Sequence, residues 1–100
     1  LDKRPVARYL GVSAADNPVL QDQVQVWPNP VRDRLAVTLN VNLRSPVFRL
    51  YDQLGNLLRE ERLALVWSEI GTEDLPPGIY FYGIEARGER VTVEKLVKLD

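Results

Sequence analysis

Alternation with a period of two dominates this chain from Gln23 onward. The clearest case runs from Arg34 to Leu43. There Leu35, Val37, Leu39, Val41 and Leu43 share one face, while Arg34, Ala36, Thr38, Asn40 and Asn42 share the other. That is the pattern of a strand buried on one side, and its register is strongly specified because a slip of one residue exposes every apolar side chain. Gln23 to Trp27 alternates in the same way until Pro28-Asn29-Pro30, where proline withholds the backbone donors that a central ladder needs. Val47 to Tyr51 sets Phe48 and Leu50 on one face. Asp52-Gln53-Leu54-Gly55-Asn56 then reverses the chain, since Asp bonds its own backbone two residues on and Gly55 accepts the left-handed position of a hairpin loop. Leu57 to Leu65 returns alongside, with the mixed charges of Arg59-Glu60-Glu61-Arg62 facing water at an edge. Leu, Arg and Glu also permit a short helix there.

Leu75-Pro76-Pro77-Gly78-Ile79-Tyr80-Phe81-Tyr82 is the hub of the chain. Two prolines fix φ, Gly78 permits φ > 0, and the residues after it are β-branched or aromatic, so a sharp turn feeds directly into a strand. Apolar residues on both alternating faces, Ile79 and Phe81 against Tyr80, Tyr82 and Ile84, predict a central strand covered on both sides. Trp67 to Ile70 reads as a short strand or a connection before a turn at Gly71 to Asp74. Arg87-Gly88-Glu89-Arg90 reads as a hairpin, and Val91 to Leu99 as the final strand with a bulge or change of face near Glu94-Lys95. About seven short strands with turn signals at this spacing predict an all-β, antiparallel β-sandwich.

One hundred residues with 45% hydrophobic content suit one core. Residues 1–22 differ from the rest: Leu1 to Val12 is mixed and basic, and Ser13 to Pro18 is small and turn-prone. They are expected to be a linker or the end of a preceding cargo domain, with the new domain at 23–100; Val6 and Tyr9-Leu10 are candidates to dock on it as an edge segment. A start at Leu1, without the pattern of a secretory leader, reads as a piece of a longer precursor. The net charge of −1 offers no field for nucleic acid or anionic lipid, and no apolar run is long enough to span a bilayer. The chain lacks Cys, so it has no disulfide, and it lacks His, the commonest general base and metal ligand.

Candidate chemistry is correspondingly thin. Glu60 and Glu61 would point to opposite faces of a strand, and Glu69, Glu73 and Asp74 read as solvated charge rather than an acid/base pair. Asp33, Asp52 and Asp74 lie near turns but form no Asp-x-Asp-x-Asp loop. Ser13, Ser45 and Ser68 have no His or elbow motif, and no glycine-rich phosphate loop occurs. No catalytic residue, metal or cofactor is expected. Trp27, Trp67, Tyr51, Tyr80 and Tyr82 leave open a sugar-stacking platform, although core packing is the preferred reading for each. Tyr80, just past a Pro-Gly corner, can also return its hydroxyl to upstream backbone as a tyrosine corner.

Val26-Trp27-Pro28-Asn29-Pro30-Val31-Arg32-Asp33-Arg34-Leu35, Leu50-Tyr51-Asp52-Gln53-Leu54-Gly55, and Leu75-Pro76-Pro77-Gly78-Ile79-Tyr80 followed by Lys95-Leu96-Val97-Lys98 occur in that order. Together, across about residues 23–100, they resemble the C-terminal sorting domain of the type IX (Por) secretion system. Trp27 stands where that family more often has Tyr or Phe. The resemblance implies an immunoglobulin-like sandwich that addresses a cargo from the periplasm of a Gram-negative bacterium, through the outer-membrane translocon, to the cell surface or medium. It also implies removal by a surface sortase, with cleavage in or near 13–23. The partners would be translocon, sortase and a covalently linked N-terminal cargo. The matching positions are Pro28, Asn29, Pro30, Asp52, Gly55, Pro77, Gly78, Tyr80, Lys95, Val97 and Lys98. For Lys95 and Lys98 the residues themselves leave two roles open, recognition through an exposed final strand or ordinary edge charge. An accessory carbohydrate-binding or fibronectin-like module of an extracellular enzyme is the alternative reading.

Overall fold

A computed structural model describes residues 23–40, 43–64 and 66–100. The linker expected at 1–22, the edge docking of Val6 and Tyr9-Leu10, and the burial of Val41 lie outside the described residues. Seven strands are present: β1 (Val24–Trp27), β2 (Arg34–Leu39), β3 (Val47–Tyr51), β4 (Leu57–Arg62), β5 (Trp67–Gly71), β6 (Gly78–Ala86) and β7 (Glu89–Lys98). They form two antiparallel sheets, β1-β2-β5 and β4-β3-β6-β7, packed face to face as a sandwich.

Period two decides what lies between the sheets. Leu35, Val37 and Leu39 of β2 are buried as the alternation requires, facing Phe48 and Leu50 of β3 and Tyr80, Tyr82 and Ile84 of β6. Phe48 and Tyr82 stack with ring centroids 5.6 Å apart. Burial pushes the Tyr82 phenol up from its ordinary pKa, because ionisation there would strand a charge in the core. β2 ends at Leu39, short of the expected Leu43, although Asn40 N–H still bonds to Gln23 O at 2.7 Å and Leu39 N–H to Val66 O at 2.7 Å. Leu43 still packs against the core. Leu57 to Arg62 is strand, not helix, and forms the sheet edge; Glu60 and Arg62 face water, whereas Arg59 and Glu61, opposite Leu50 and Phe48, are half-buried on the inner side, so the expectation that all four charges face water is corrected.

Two other expectations are corrected. β6 is central in its sheet, yet only one face is covered: Ile79 is 39% exposed and Phe81 is half-buried, because a two-layer sandwich leaves the outer face of each sheet to solvent. The irregularity in β7 lies at Val91, where the β6 register shifts between Ile84 and Glu85, rather than at Glu94-Lys95. Val91 and Thr92 are therefore both buried, and from there Leu96 faces inward while Lys95 and Val97 face outward.

The β6–β7 hairpin closes at Arg87 and Gly88 with φ of 57° and 78°, the left-handed pair of a two-residue turn. Arg49 on the outer face of the larger sheet joins Glu60 and Glu85, each at 2.7 Å, across β4, β3 and β6. The Glu60 hydrogen bond raises the Arg49 pKa despite partial burial.

Candidate functional site

The prolines that stop β1 send the chain from one sheet to the other. Pro28 and Pro30 have no N–H to give, so residues 28–31 leave β2 and cross to the outer edge of β7. There Val31 N–H donates to Val97 O at 2.8 Å and Leu99 N–H donates to Val31 O at 2.7 Å, a parallel bridge opposite Lys98. Asn29 supplies the next contacts through its side-chain amide: Nδ2 donates to Lys95 O at 2.7 Å, and Oδ1 accepts from Val97 N–H at 3.0 Å. Val31 is wholly buried beneath this seam. The C-terminal half of the β7 edge is thus occupied by the chain itself.

Antiparallel register brings the remaining motif residues to the same end. Gly78 pairs with Lys98, Ile79 with Val97 and Tyr80 with Leu96, while Tyr51, just before the Asp52 loop, pairs with Phe81. Asp52 Oδ1 accepts from the Leu54 and Asn56 N–H groups at 2.9 Å each, and Oδ2 accepts from Asn56 Nδ2 at 2.9 Å. These bonds, chiefly the one from the Asn56 side chain, hold the Asp52 carboxyl below its ordinary value of 3.8. Gly55 takes the left-handed φ of 92° that closes the loop. Tyr80 Oη donates to Pro76 O at 2.5 Å, which realises the tyrosine corner. Asp52–Leu54 and Pro77–Tyr80 together line a shallow depression of about 260 Å³.

Sequence reasoning passed over the groups that lock this pole. Arg59 reaches from edge strand β4 to the other sheet, donating to Gly71 O and to both carboxylate oxygens of Asp74 at 2.7 Å. This bond holds the Asp74 carboxyl below its usual range. Arg32 donates to Asp100 O at 2.5 Å, and buried Thr72 donates its hydroxyl to Arg32 O at 3.1 Å. Charge alternation gave Arg59 no mark distinguishing it from its neighbours; only the third dimension shows which arginine of Arg59-Glu60-Glu61-Arg62 points toward the opposite sheet.

The eleven expected positions therefore divide by what they touch. Asn29, Asp52, Gly55, Gly78 and Tyr80 hold the pole together, and Lys98 joins them: it is only 7% exposed, with Nζ donating to Leu99 O at 2.9 Å. Pro28, Pro30, Pro77 and Lys95 are exposed and Val97 is half-buried. Leu54, in the Asp52 loop, is 77% exposed at the surface of this pole. Asn29→Ala should cost about 1–2 kcal/mol through its two lost hydrogen bonds, lowering the thermal midpoint by roughly 4–16 °C. An unchanged melt would show that the Asn29 bridge contributes nothing to the seam.

The tryptophans depart from the core packing expected of them. Trp27 is 43% and Trp67 is 52% exposed, while Tyr80 and Tyr82 are buried and Tyr51 is half-buried. Trp27 and Gln25 form one wall of a groove of about 450 Å³ between β1 and β7, opposite Thr92 and Glu94. Among the described residues no three His, Cys, Asp or Glu side chains cluster to hold a metal ion, and no helix is long and apolar enough to cross a membrane.

The same architecture occurs in a crystal structure of a DUF3244 family protein with an immunoglobulin-like β-sandwich fold from Bacteroides vulgatus. It aligns with a TM-score of 0.66 over 77% of this chain and 85% of that one, at 15% identity. That likeness establishes the fold, an immunoglobulin-like sandwich. No curated protein matches the sequence. A family model described as a secretion system C-terminal sorting domain matches residues 25–99, spanning every motif block gathered at the pole. The chain belongs to the C-terminal sorting domains of the type IX (Por) secretion system, the signals that direct proteins to the cell surface or extracellular space.

Proposed function

We propose that residues 23–100 act as a non-catalytic address, read at the pole where the motif blocks meet, and that residues 1–22 are the linker to an N-terminal cargo. One observation carries this reading. Segments 28–31, 52–55, 77–80 and 95–98, far apart in sequence, converge on one end of the sandwich, where 28–31 and 77–80 are bonded to 95–98 and the 52–55 loop shares a depression with 77–80. A folded recognition signal needs such a rigid, preorganised surface, because ordering it on binding would weaken the complex.

The position of the other end supports the same reading. Gln23 bonds to Asn40 at the end of the sandwich where Arg44 meets Arg87, opposite the motif pole. β6 runs between the two ends, and its nine residues span about 30 Å. A cargo attached before Gln23 would therefore leave the pole clear for the translocon after passage through the periplasm. A surface sortase would then cut in or near 13–23.

Residues 13–100 fused to a periplasmic reporter should carry it to the surface or medium of a host with a type IX system. Lys95→Glu, which reverses an exposed charge, should lower that export without altering the melt of the isolated chain. A wild-type fusion that folds but stays in the periplasm would overturn the proposal, as would full export of fusions altered at each exposed pole position.

A further inference from the structure

The outer face of β1-β2-β5 carries two exposed tryptophans: Trp27, which leads into the Pro28 crossing, and Trp67, which belongs to none of the motif blocks. On β1 and β5, Trp27 and Trp67 fall on the solvent-facing parity, opposite Ala36 and Thr38 of the middle strand. Two strand spacings and a two-residue offset put the two tryptophan Cα atoms about 12 Å apart. Ala36 and Thr38 are short, so the floor between the indoles is low and flat. Two half-exposed indoles on one face offer a ligand two flat apolar surfaces, each with a polar N–H edge.

We propose that this face binds a neutral, β-linked polysaccharide chain, with pyranose rings stacked on Trp67 and Trp27 and their hydroxyls bonded by the polar side chains between. Three properties select that ligand. Sugar rings present flat C–H faces to indoles, and the Trp27 to Trp67 separation suits alternate rings of an extended chain rather than a single sugar. The charged groups on the face, Arg34 and Glu69, neutralise each other at 3.3 Å while staying 61% and 43% exposed. They offer hydroxyl partners without attracting an ionic ligand. Gln25, opposite Thr38 in the β1–β2 register, adds an amide.

The test uses the full 100-residue chain and three soluble neutral probes: hydroxyethylcellulose, glucomannan and arabinoxylan. Affinity gel electrophoresis and tryptophan fluorescence should show saturable binding to at least one of them. Trp67→Ala and Trp27→Ala should each weaken it by roughly tenfold, with thermal midpoints close to the parent because both side chains are about half exposed. Should Trp27→Ala fail to fold beside the Pro28 crossing, Trp67→Ala decides the matter. Absence of saturable binding to all three probes overturns the proposal, as does binding unaffected by Trp67→Ala or a face that captures only a protein. Export by the fusion assay is independent of every one of these results.

Discussion

Removing Lys95 to Asp100 should abolish the cooperative thermal transition of the domain as well as its export. The deleted segment contains Leu96, fully buried between the sheets, and Lys98, nearly so. It is also the strand to which Gly78 to Phe81 pair, and the edge on which Val31 and Asn29 are anchored. Loss of a buried leucine to alanine costs about 2–5 kcal/mol. The unmade ladder and seam bonds add about 0.5–1.5 kcal/mol each. Together these approach the whole net stability of a small domain, about 5–15 kcal/mol. Circular dichroism melts of the truncated and full chains decide the point: a sharp transition within a few degrees of the parent would show that the last strand is dispensable for folding. Failed export of such a truncation does not, therefore, locate the recognised residues, because the fold that presents them is lost at the same step.

Much of the architecture was legible because its determinants are local. The alternation Leu35, Val37, Leu39 names a buried face without reference to any partner, and Asp52 with Gly55, or Pro77 with Gly78 and Tyr80, encode turns through bonds made within five residues. What stayed hidden depends on pairings between distant segments. The crossing of residues 28–31 onto β7 was visible only as the end of a strand, since the acceptor edge lies 66 residues away from Asn29. The burial of Lys98 follows from the extra residue at Val91 and from Val31 arriving alongside, neither of which alternation in β7 reveals. Trp27 and Trp67 misled for a related reason: aromatic character predicts burial on average, but parity within the strand puts both on the outer face of a sheet that nothing else in the described chain covers.

Gly78→Val should unfold the pole, while Lys95→Ala should leave it standing, and Lys98→Ala should fall between them. Space is not the obstacle at Gly78, where an added Cβ meets nothing within 4 Å. The obstacle is its φ of 149°, a region that L side chains rarely adopt and that costs about 1–3 kcal/mol to hold. Relaxing that angle swings the start of β6, shifting Tyr80 from Pro76 O and Gly78 from Lys98. A total of about 2–4 kcal/mol lowers the thermal midpoint by roughly 8–30 °C in a domain of this size. Lys98→Ala removes a buried aliphatic stem and the Nζ bond to Leu99 O, for about 1–2 kcal/mol. Lys95 is exposed, and its alanine variant should melt within about 0.5 kcal/mol of the parent. Paired melting and export measurements separate folding from recognition. Export by Gly78→Val should recover when the host is grown well below the variant's midpoint, because its surface is intact once folded. A defect in Lys95→Ala should persist at every temperature, because the group that meets the machinery is missing. Equal melting of all three variants would contradict this division, and a temperature-rescued Lys95→Ala would move that lysine from the recognition surface to the fold.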